Sequence, residues 1–335
     1  MKHVGLDARL TRQMSVGMKA YARELAARIP QAAPDLRFSI FEHGKNFSWQ
    51  EQVELPRAMR RAKIDIAHFL SLYVPLMPPR PYVVTIHDLI HLRFPQYFKS
   101  KVGPYYRTVV RFAARRAARV ITDDPRTVED LERFLGVDPA RVRVIPLGVD
   151  DAYLRDAEAF AAPRPYVLYV GNHRAHKDLP TLFRAWKMLP EEIALDVYVT
   201  GDDDFGGAVP QRSVGRIVPL GDVGIDRLAG YYAGARALVH PALCEGFGLP
   251  MLEAMACGAP VVACDDAIPA VLREAALTFA PGDAEGARSQ LLRVLSDQGL
   301  RSRLVNEGRA VARTLTWDRC AAATASVYRE VLESR

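Results

Sequence analysis

The chain has 335 residues, of which 49% are apolar and 25% charged, and its formal net charge is +6. That length exceeds what one core ordinarily supports and sets two domains as the expectation, while the apolar content excludes a disordered chain. The positive charge suits a nucleotide, a phosphorylated lipid or an anionic membrane surface; with no zinc-finger spacing, RNP-like aromatic motif or lysine-rich tail beside it, nucleic acid is not expected as a partner.

Met1 to Asp7 runs directly into a strand with no signal-peptide pattern, and every apolar run is broken by Arg, Pro or Gly well short of the roughly 18 to 20 residues that span a bilayer. A cytoplasmic protein is expected. The four cysteines, Cys244, Cys257, Cys264 and Cys320, form no C-x-x-C or Cys/His ligand pattern and read as reduced and mostly buried.

Short apolar runs alternate with amphipathic ones, the pattern of parallel strands joined by crossover helices. In the first array Val4-Leu6, Phe38-Phe41, Ile64-Phe69, Tyr82-Ile86, Val120-Ile121 and Val142-Ile145 predict strands, with helices over Met18-Ile29 and Gly103-Arg119 between them. Asp124-Pro125 predicts an N-cap and first helical position, and the helix it opens ends near Gly136. From Pro146 to Pro165 the pattern lapses into polar, alanine-rich sequence of the kind found between domains. The second array resumes with Tyr166-Val170, Leu195-Thr200, Arg216-Pro219, Ala237-His240, Pro260-Ala263 and Leu277-Phe279. The expected fold is α/β, with Rossmann-like domains over 1–162 and 163–315 and a helix over 316–335 returning to the first. Parallel sheets bind ligands beyond the carboxyl ends of their strands, so the cleft between two facing domains is the expected site.

The segment His240-Pro-Ala-Leu-Cys-Glu245-Gly-Phe-Gly-Leu-Pro250-Met-Leu-Glu253-Ala-Met-Ala-Cys-Gly258 carries the densest chemistry. A strand ends at His240, a glycine-bearing turn follows, Pro250 stands at a helix start and Gly258 at its end. A helix start behind small residues offers unpaired N–H groups and a positive dipole end to a diphosphate. Glu253, one turn in, is placed to hold a ribose, and Glu245 to reach another part of the ligand; the plainer alternative is that both merely balance the helix dipole.

Glu245 and Glu253, with seven residues between them and Gly-Phe-Gly-Leu-Pro inside, resemble the E-x7-E motif of retaining glycosyltransferase family 4, and Ala-Met-Ala-Cys-Gly-Ala-Pro-Val-Val after it is similar to that family as well. Val83-Val-Thr-Ile-His87-Asp-Leu resembles the family's strand ending in a histidine at the cleft. Val144-Ile-Pro-Leu-Gly-Val-Asp150 resembles its hallmark before the linker, and Tyr169-Val-Gly171-Asn-His-Arg174-Ala-His-Lys177 its first nucleotide-domain strand and loop. The resemblance covers nearly the whole chain and is nearest in pattern to bacterial mannosyltransferase-like members that build cell-surface polysaccharides.

The resemblance implies the GT-B fold and retaining, metal-independent transfer of a hexose from a nucleotide diphosphate sugar to a glycan or lipid-linked acceptor, with mannose preferred and no further cofactor. It implies catalytic roles for His87, Glu245 and Lys177. Donor binding falls to Gly17, Gly171, Arg174, Lys177, Phe247, Gly248, Leu249, Pro250 and Glu253. A fixed cation supports the same assignment on physical grounds, since negative charge grows on the leaving diphosphate; Lys177 is the first candidate and Arg174 the second, a solvated loop cation being the alternative for Arg174. Other readings are an epimerase or hydrolase on the same fold and an inactive sugar-nucleotide-binding protein. A dinucleotide oxidoreductase is poorly supported, because no G-x-G-x-x-G follows the first strand of either half.

Two departures from the family pattern stand out. In Ser15-Val-Gly17-Met-Lys19-Ala-Tyr21 the second glycine of a Gly-x-Gly-like loop is Lys19, which either meets a phosphate or acceptor or points to solvent. Thr122-Asp-Asp124 replaces a serine-bearing segment on the acceptor side. His3, His43 and His68 read as structural, and His91 as more structural than functional. Asp202-Asp203-Asp204 reads as a solvated or nucleotide-edge loop, not a metal site. Finally, Arg107, Arg111, Arg115 and Arg119 recur every four residues opposite Val109, Val110, Ala113, Ala117 and Val120. The ordinary reading is a helix with its arginines in water; the alternative is a basic face that docks peripherally on the inner, anionic face of a membrane.

Overall fold

The computed structural model describes residues 1–9, 16–99, 102–201, 205 and 210–334. The chain divides into two compact units, Met1–Gly148 with Thr316–Arg335, and Val149–Leu315.

The first unit is built on strands β1 (Lys2–Asp7), β2 (Leu36–Phe41), β3 (Ile66–Phe69), β4 (Tyr82–Thr85), β5 (Arg119–Thr122) and β6 (Val142–Val144), in the order β2-β1-β3-β4-β5-β6. Every neighbouring pair is parallel, with Val4 opposite Ile66, His68 opposite Val83 and Thr122 opposite Val144. β3 and β4 are buried along their whole length, and β1 is buried except at Lys2. Strands covered on both faces read as continuous apolar runs without alternation, which is why their positions are visible in sequence. One face packs Leu55, Met59, Phe69, Val84, Tyr106, Val110 and Leu131 into a single core.

The second unit repeats the plan with β7 (Tyr166–Tyr169), β8 (Asp196–Thr200), β9 (Ile217–Gly221), β10 (Ala237–His240), β11 (Val261–Cys264) and β12 (Ala276–Phe279), ordered β12-β11-β10-β7-β8-β9 and parallel throughout. Its core centres on Trp186, fully buried, whose indole N–H donates to the Leu195 carbonyl at 2.7 Å. The four cysteines form no disulfide and are buried.

Two expectations need correction. The stretch 149–162 belongs to the second unit, not the first. Asp150 caps the short helix Asp151–Leu154, and further on the Phe160 amide donates to the Gly230 carbonyl at 2.9 Å while its ring lies 4.4 Å from that of Tyr231. The basic helix also stops earlier than its period suggests. Helical turns run through Val102–Tyr105, Tyr106–Val110 and Arg111–Arg116, and Ala117 then turns extended. Arg119 therefore opens β5, where it pairs with Glu330 at 2.8 Å, while Arg107, Arg111, Arg115 and Arg116 are exposed.

The helix Trp317–Glu333, capped by Thr316, packs on the first unit along the helix Val16–Ala32. Asp318 pairs with Arg28 at 2.8 Å, and Glu330 with Arg119 and Arg143. Gly148 is what lets the chain pass: a Cβ there would lie 2.1 Å from the Trp317 nitrogen and 2.4 Å from the Thr316 carbonyl carbon. Both neighbours are backbone, so neither gives way cheaply. Gly148→Ala is expected to cost about 1–3 kcal/mol or more and to lower the thermal midpoint by roughly 5 °C. Gly103→Ala, where a Cβ meets nothing within 4 Å, should leave the midpoint unchanged or slightly raised. Differential scanning calorimetry on the pair checks the contrast, and an unaltered midpoint for Gly148→Ala would contradict the packing.

Candidate functional site

In the second unit the strand order reverses between β10 and β7, so the loops leaving these two strands diverge from one point of the sheet edge. Such switch points are where open parallel sheets bind ligands. The loop after β7 runs through Gly171 to the single turn Ala175–Lys177, and the loop after β10 runs from His240 to Gly248. A backbone bond from the Leu243 amide to the His176 carbonyl, 2.8 Å, ties one to the other. The result brings Lys177 against Glu245: the ammonium donates to Glu245 Oε1, and His240 Nε2 meets the same oxygen at 2.7 Å. Burial would raise the Glu245 carboxyl, but the charge of Lys177 and the hydrogen bond from His240 outweigh it and hold the group well below the usual carboxylate range. Both donors converge on Oε1, which leaves Oε2 outside these contacts.

Gly248 starts the next helix, Leu249–Ala256, with φ +73, and a Cβ on it would fall 2.2 Å from the Met251 side chain. The left-handed backbone of that turn favours glycine. Phe247 is buried, Leu249 and Pro250 are partly exposed over the first helical turn, and Gly258 closes the helix with φ +81. Glu253 lies one turn in. Its Oε2 accepts from the Tyr232 hydroxyl at 2.8 Å, Tyr232 coming from the helix Ile225–Gly234. Burial raises the Glu253 carboxyl to about 7, the Tyr232 bond opposing and the charge of Asp150 assisting. The two glutamates of one motif are thus shifted in opposite directions, Glu245 down and Glu253 up.

Gly171, in the β7 loop, donates its amide to the Thr200 hydroxyl at 3.2 Å, and a Cβ on Gly201 would sit 2.5 Å from the Gly171 carbonyl oxygen, so these loops approach through glycine backbone. Arg174 is exposed and takes no part in the Glu245 cluster. Asp202, Asp203 and Asp204 lie outside the described residues. Among the described residues no group of three His, Cys, Asp or Glu could hold a metal ion.

In the first unit His87 follows β4 at the carboxyl edge. Its Nδ1 lies 2.6 Å from Asp123 Oδ2, and the Tyr21 ring meets the imidazole edge-on with centroids 4.6 Å apart. Burial would lower the imidazole, yet the Asp123 carboxylate outweighs this and raises it, with the nearby Leu70 carbonyl adding to the effect. His87 Nε2 is buried and makes no hydrogen bond of normal geometry. Asp123 is the partner that sequence reasoning missed; the signal was present in Thr122-Asp123-Asp124 at the end of β5, the strand beside β4. Asp124 has a different task, capping the next helix through the Arg126 amide at 2.9 Å. Gly17 lies in the first turn of the helix Val16–Ala32 and Lys19 is exposed there, while residues 10–15 lie outside the described residues. His3 bonds Ser39 and fully buried His68 bonds Tyr328 and Thr85, both as structural residues.

Residues 16–153 match the family described as Glycosyltransferase Family 4, and residues 164–297 the family described as Glycosyl transferases group 1. The chain is 28% identical over 290 residues to O-antigen chain mannosyltransferase B of Escherichia coli, covering 81% of this chain and 76% of that protein. It is 28% identical over 227 residues to O-antigen chain mannosyltransferase RfbU of Salmonella typhimurium, covering 65% of this chain and 61% of that one, so it spans less than two thirds of that relative's length. Among solved structures, a sucrose-phosphate synthase from Thermosynechococcus elongatus shares the fold over 100% of both chains, with a TM-score of 0.76 at 21% identity. With its paired six-stranded parallel sheets and the Glu245 to Glu253 motif at the switch point of the second, the chain belongs to glycosyltransferase family 4 and has the GT-B fold.

Proposed function

We propose that this chain transfers a hexose, with retention and without a divalent metal ion, from a nucleotide diphosphate sugar to a glycan or lipid-linked acceptor. The observation that carries the reading is the Lys177–Glu245–His240 cluster at the β7/β10 switch point, beside the helix that begins at Leu249. As the bond from the sugar to the diphosphate breaks, the electron pair leaves with the diphosphate, and Lys177 and the amides of that helix start offer the positive charge that stabilises it. Glu253, with Oε2 held by Tyr232, presents its remaining oxygen to the ribose. Glu245 Oε2 addresses a sugar hydroxyl as the ring gains positive character, and His87, braced by Asp123, serves the reaction centre. The E. coli and Salmonella relatives, mannosyltransferases of O-antigen chains by name, support mannose as the sugar and cell-surface polysaccharide as the product.

Bonds to a charged group contribute roughly 1.5–3 kcal/mol, so Glu253→Ala is expected to weaken free nucleoside diphosphate binding on the order of 10- to 150-fold. Glu245→Gln should keep that affinity nearly intact and lower the transfer rate. Ionisation of Glu253 also sets a sign with pH. Its folded value is raised to about 7, so the carboxylate that accepts from ribose hydroxyls fills in as pH climbs through neutrality. Affinity for the nucleotide should therefore rise more steeply between about pH 6 and 8 in the native chain than in Glu253→Gln, since ionisation of the ligand's own terminal phosphate is common to both. Calorimetric titration of all four proteins at both pH values checks this, and equal losses of nucleotide affinity in Glu245→Gln and Glu253→Ala would refute the division of labour.

Transfer is expected to survive excess EDTA. Loss of product restored by magnesium or manganese would overturn the metal-independent reading.

The exposed Arg107, Arg111, Arg115 and Arg116 also support peripheral docking on anionic lipid. Co-sedimentation with liposomes should then increase with acidic lipid, fall with salt, and drop in an Arg111→Glu/Arg115→Glu variant; equal recovery on neutral and acidic liposomes would exclude it.

A further inference from the structure

Four residues beyond His87 the first unit carries side chains that the proposed transfer leaves unused. The turns Ile90–Arg93 and Pro95–Tyr97 and the helical run from Val102 enclose a cavity of about 140 Å³. His91, Leu92, Phe98, Lys99, Val102 and Arg107 are among its lining residues. A cavity of roughly 150 Å³ holds a molecule the size of benzene, so this one admits a phosphate group with the first carbons attached to it.

Its inner wall is fixed. Leu92 is buried, the His91 ring lies 4.0 Å from that of Phe98 and stacks at 5.3 Å on Tyr106, and the Tyr106 hydroxyl meets His91 Nδ1 at 3.0 Å. Its rim is charged. Lys99 and Arg107 are exposed, and neither has a carboxylate partner among the described residues, in contrast to Arg93, Arg119 and Arg143 of the same unit. A free inorganic anion has no use for the Leu92–Phe98–Val102 wall, and a pure hydrocarbon has none for two unneutralised cations. A bare sugar carries no charge to meet the two rim cations and has little use for the Leu92–Phe98–Val102 wall.

We propose that this cavity binds an alkyl phosphate ester, its phosphate between Lys99 and Arg107 and its first carbons against Leu92, Phe98 and Val102. Its place on the segment that follows β4 and His87 makes it the anchoring point for a lipid-phosphate acceptor. That last identification rests on the transferase reading; the binding itself does not.

The test is calorimetric titration of the full chain with hexyl phosphate, hexan-1-ol and inorganic phosphate. Hexyl phosphate should bind, with Lys99→Ala and Arg107→Ala each weakening it about 5- to 10-fold. Arg115→Ala, outside the cavity lining, should leave it unchanged, and nucleoside diphosphate affinity should be the same in all variants. The assignment is overturned if hexan-1-ol or inorganic phosphate binds as tightly as hexyl phosphate, or if Lys99→Ala and Arg107→Ala bind it as the native chain does. Hexyl phosphate binding as described in a chain that transfers no sugar would uphold the cavity and remove its identification as an acceptor site.

Discussion

Parallel strand pairing is the constraint on which the rest of this molecule depends. Each strand must return by a crossover to the edge where its neighbour began, so all the carboxyl ends of a sheet emerge on one side and the chain's loops collect there. Where the order reverses, two successive crossovers go to opposite directions and their loops part. In the second unit that point lies between β7 and β10, and the loops that part carry Lys177 and Glu245. In the first unit it lies between β1 and β3, and the residues just beyond β1 are buried and charged: Arg9 holds Asp7 with two bonds of 2.8 Å and reaches Glu51 at 3.2 Å. Both switch points therefore gather ionisable side chains at and just beyond the carboxyl ends of the strands.

Within the second site, electrostatics separates two residues that sequence makes look equivalent. Glu245 and Glu253 are both glutamates, both shielded from water, and both in one motif. The first faces an ammonium and an imidazole; the second faces a phenol that can neutralise nothing. A cation compensates burial and a neutral donor does so only in part, so Glu245 is held well below the usual carboxylate range while Glu253 is raised to about 7. A carboxylate kept ionised by neighbouring donors suits a group that must oppose developing positive charge. A carboxyl that ionises at little cost on ligand arrival suits one that accepts bonds from hydroxyls and must otherwise sit without them.

This division also explains what was legible in the sequence. Strands buried on both faces announce themselves as uninterrupted runs such as Tyr82-Val-Val-Thr85 and Val261-Val-Ala-Cys264, because burial alone dictates their composition. Glu245, Gly248 and Glu253 were readable for a related reason: the turn and helix that set them are local in sequence. Asp123 and Tyr232 were not, since each acquires its meaning from a partner that only tertiary packing brings near, His87 in one case and Glu253 in the other. The boundary at Val149 was obscured because 155–165 has no periodicity to assign, whereas Phe160 is placed by ring and backbone contacts distant in sequence. Arg119 was misplaced because the four-residue period continues through Ala117 and Ala118, two residues that suit a helix as well as the strand they precede.

Partners brought together by tertiary packing extend to the far end of the chain. Tyr328, on the helix Trp317–Glu333, meets His68 Nδ1 at 2.6 Å; His68 Nε2 meets Thr85 at 2.9 Å, and Thr85 meets the Tyr21 hydroxyl at 2.9 Å. Burial lowers His68 to about 3, so its ring is neutral and offers one donor and one acceptor to the two hydroxyls that flank it. Tyr21, fixed at the end of this line, is the residue whose ring stands edge-on against His87. A buried polar chain is costly when any member lacks its partner, so removing Tyr328 would strand His68 and loosen the support behind Tyr21. The first unit is thus closed by residues made only after the whole of the second, and its histidine at the sheet edge is braced by a helix at the opposite end of the sequence. Synthesis can complete the second unit's core before the first has its last helix, which makes the first unit the one whose native packing must wait for the full chain.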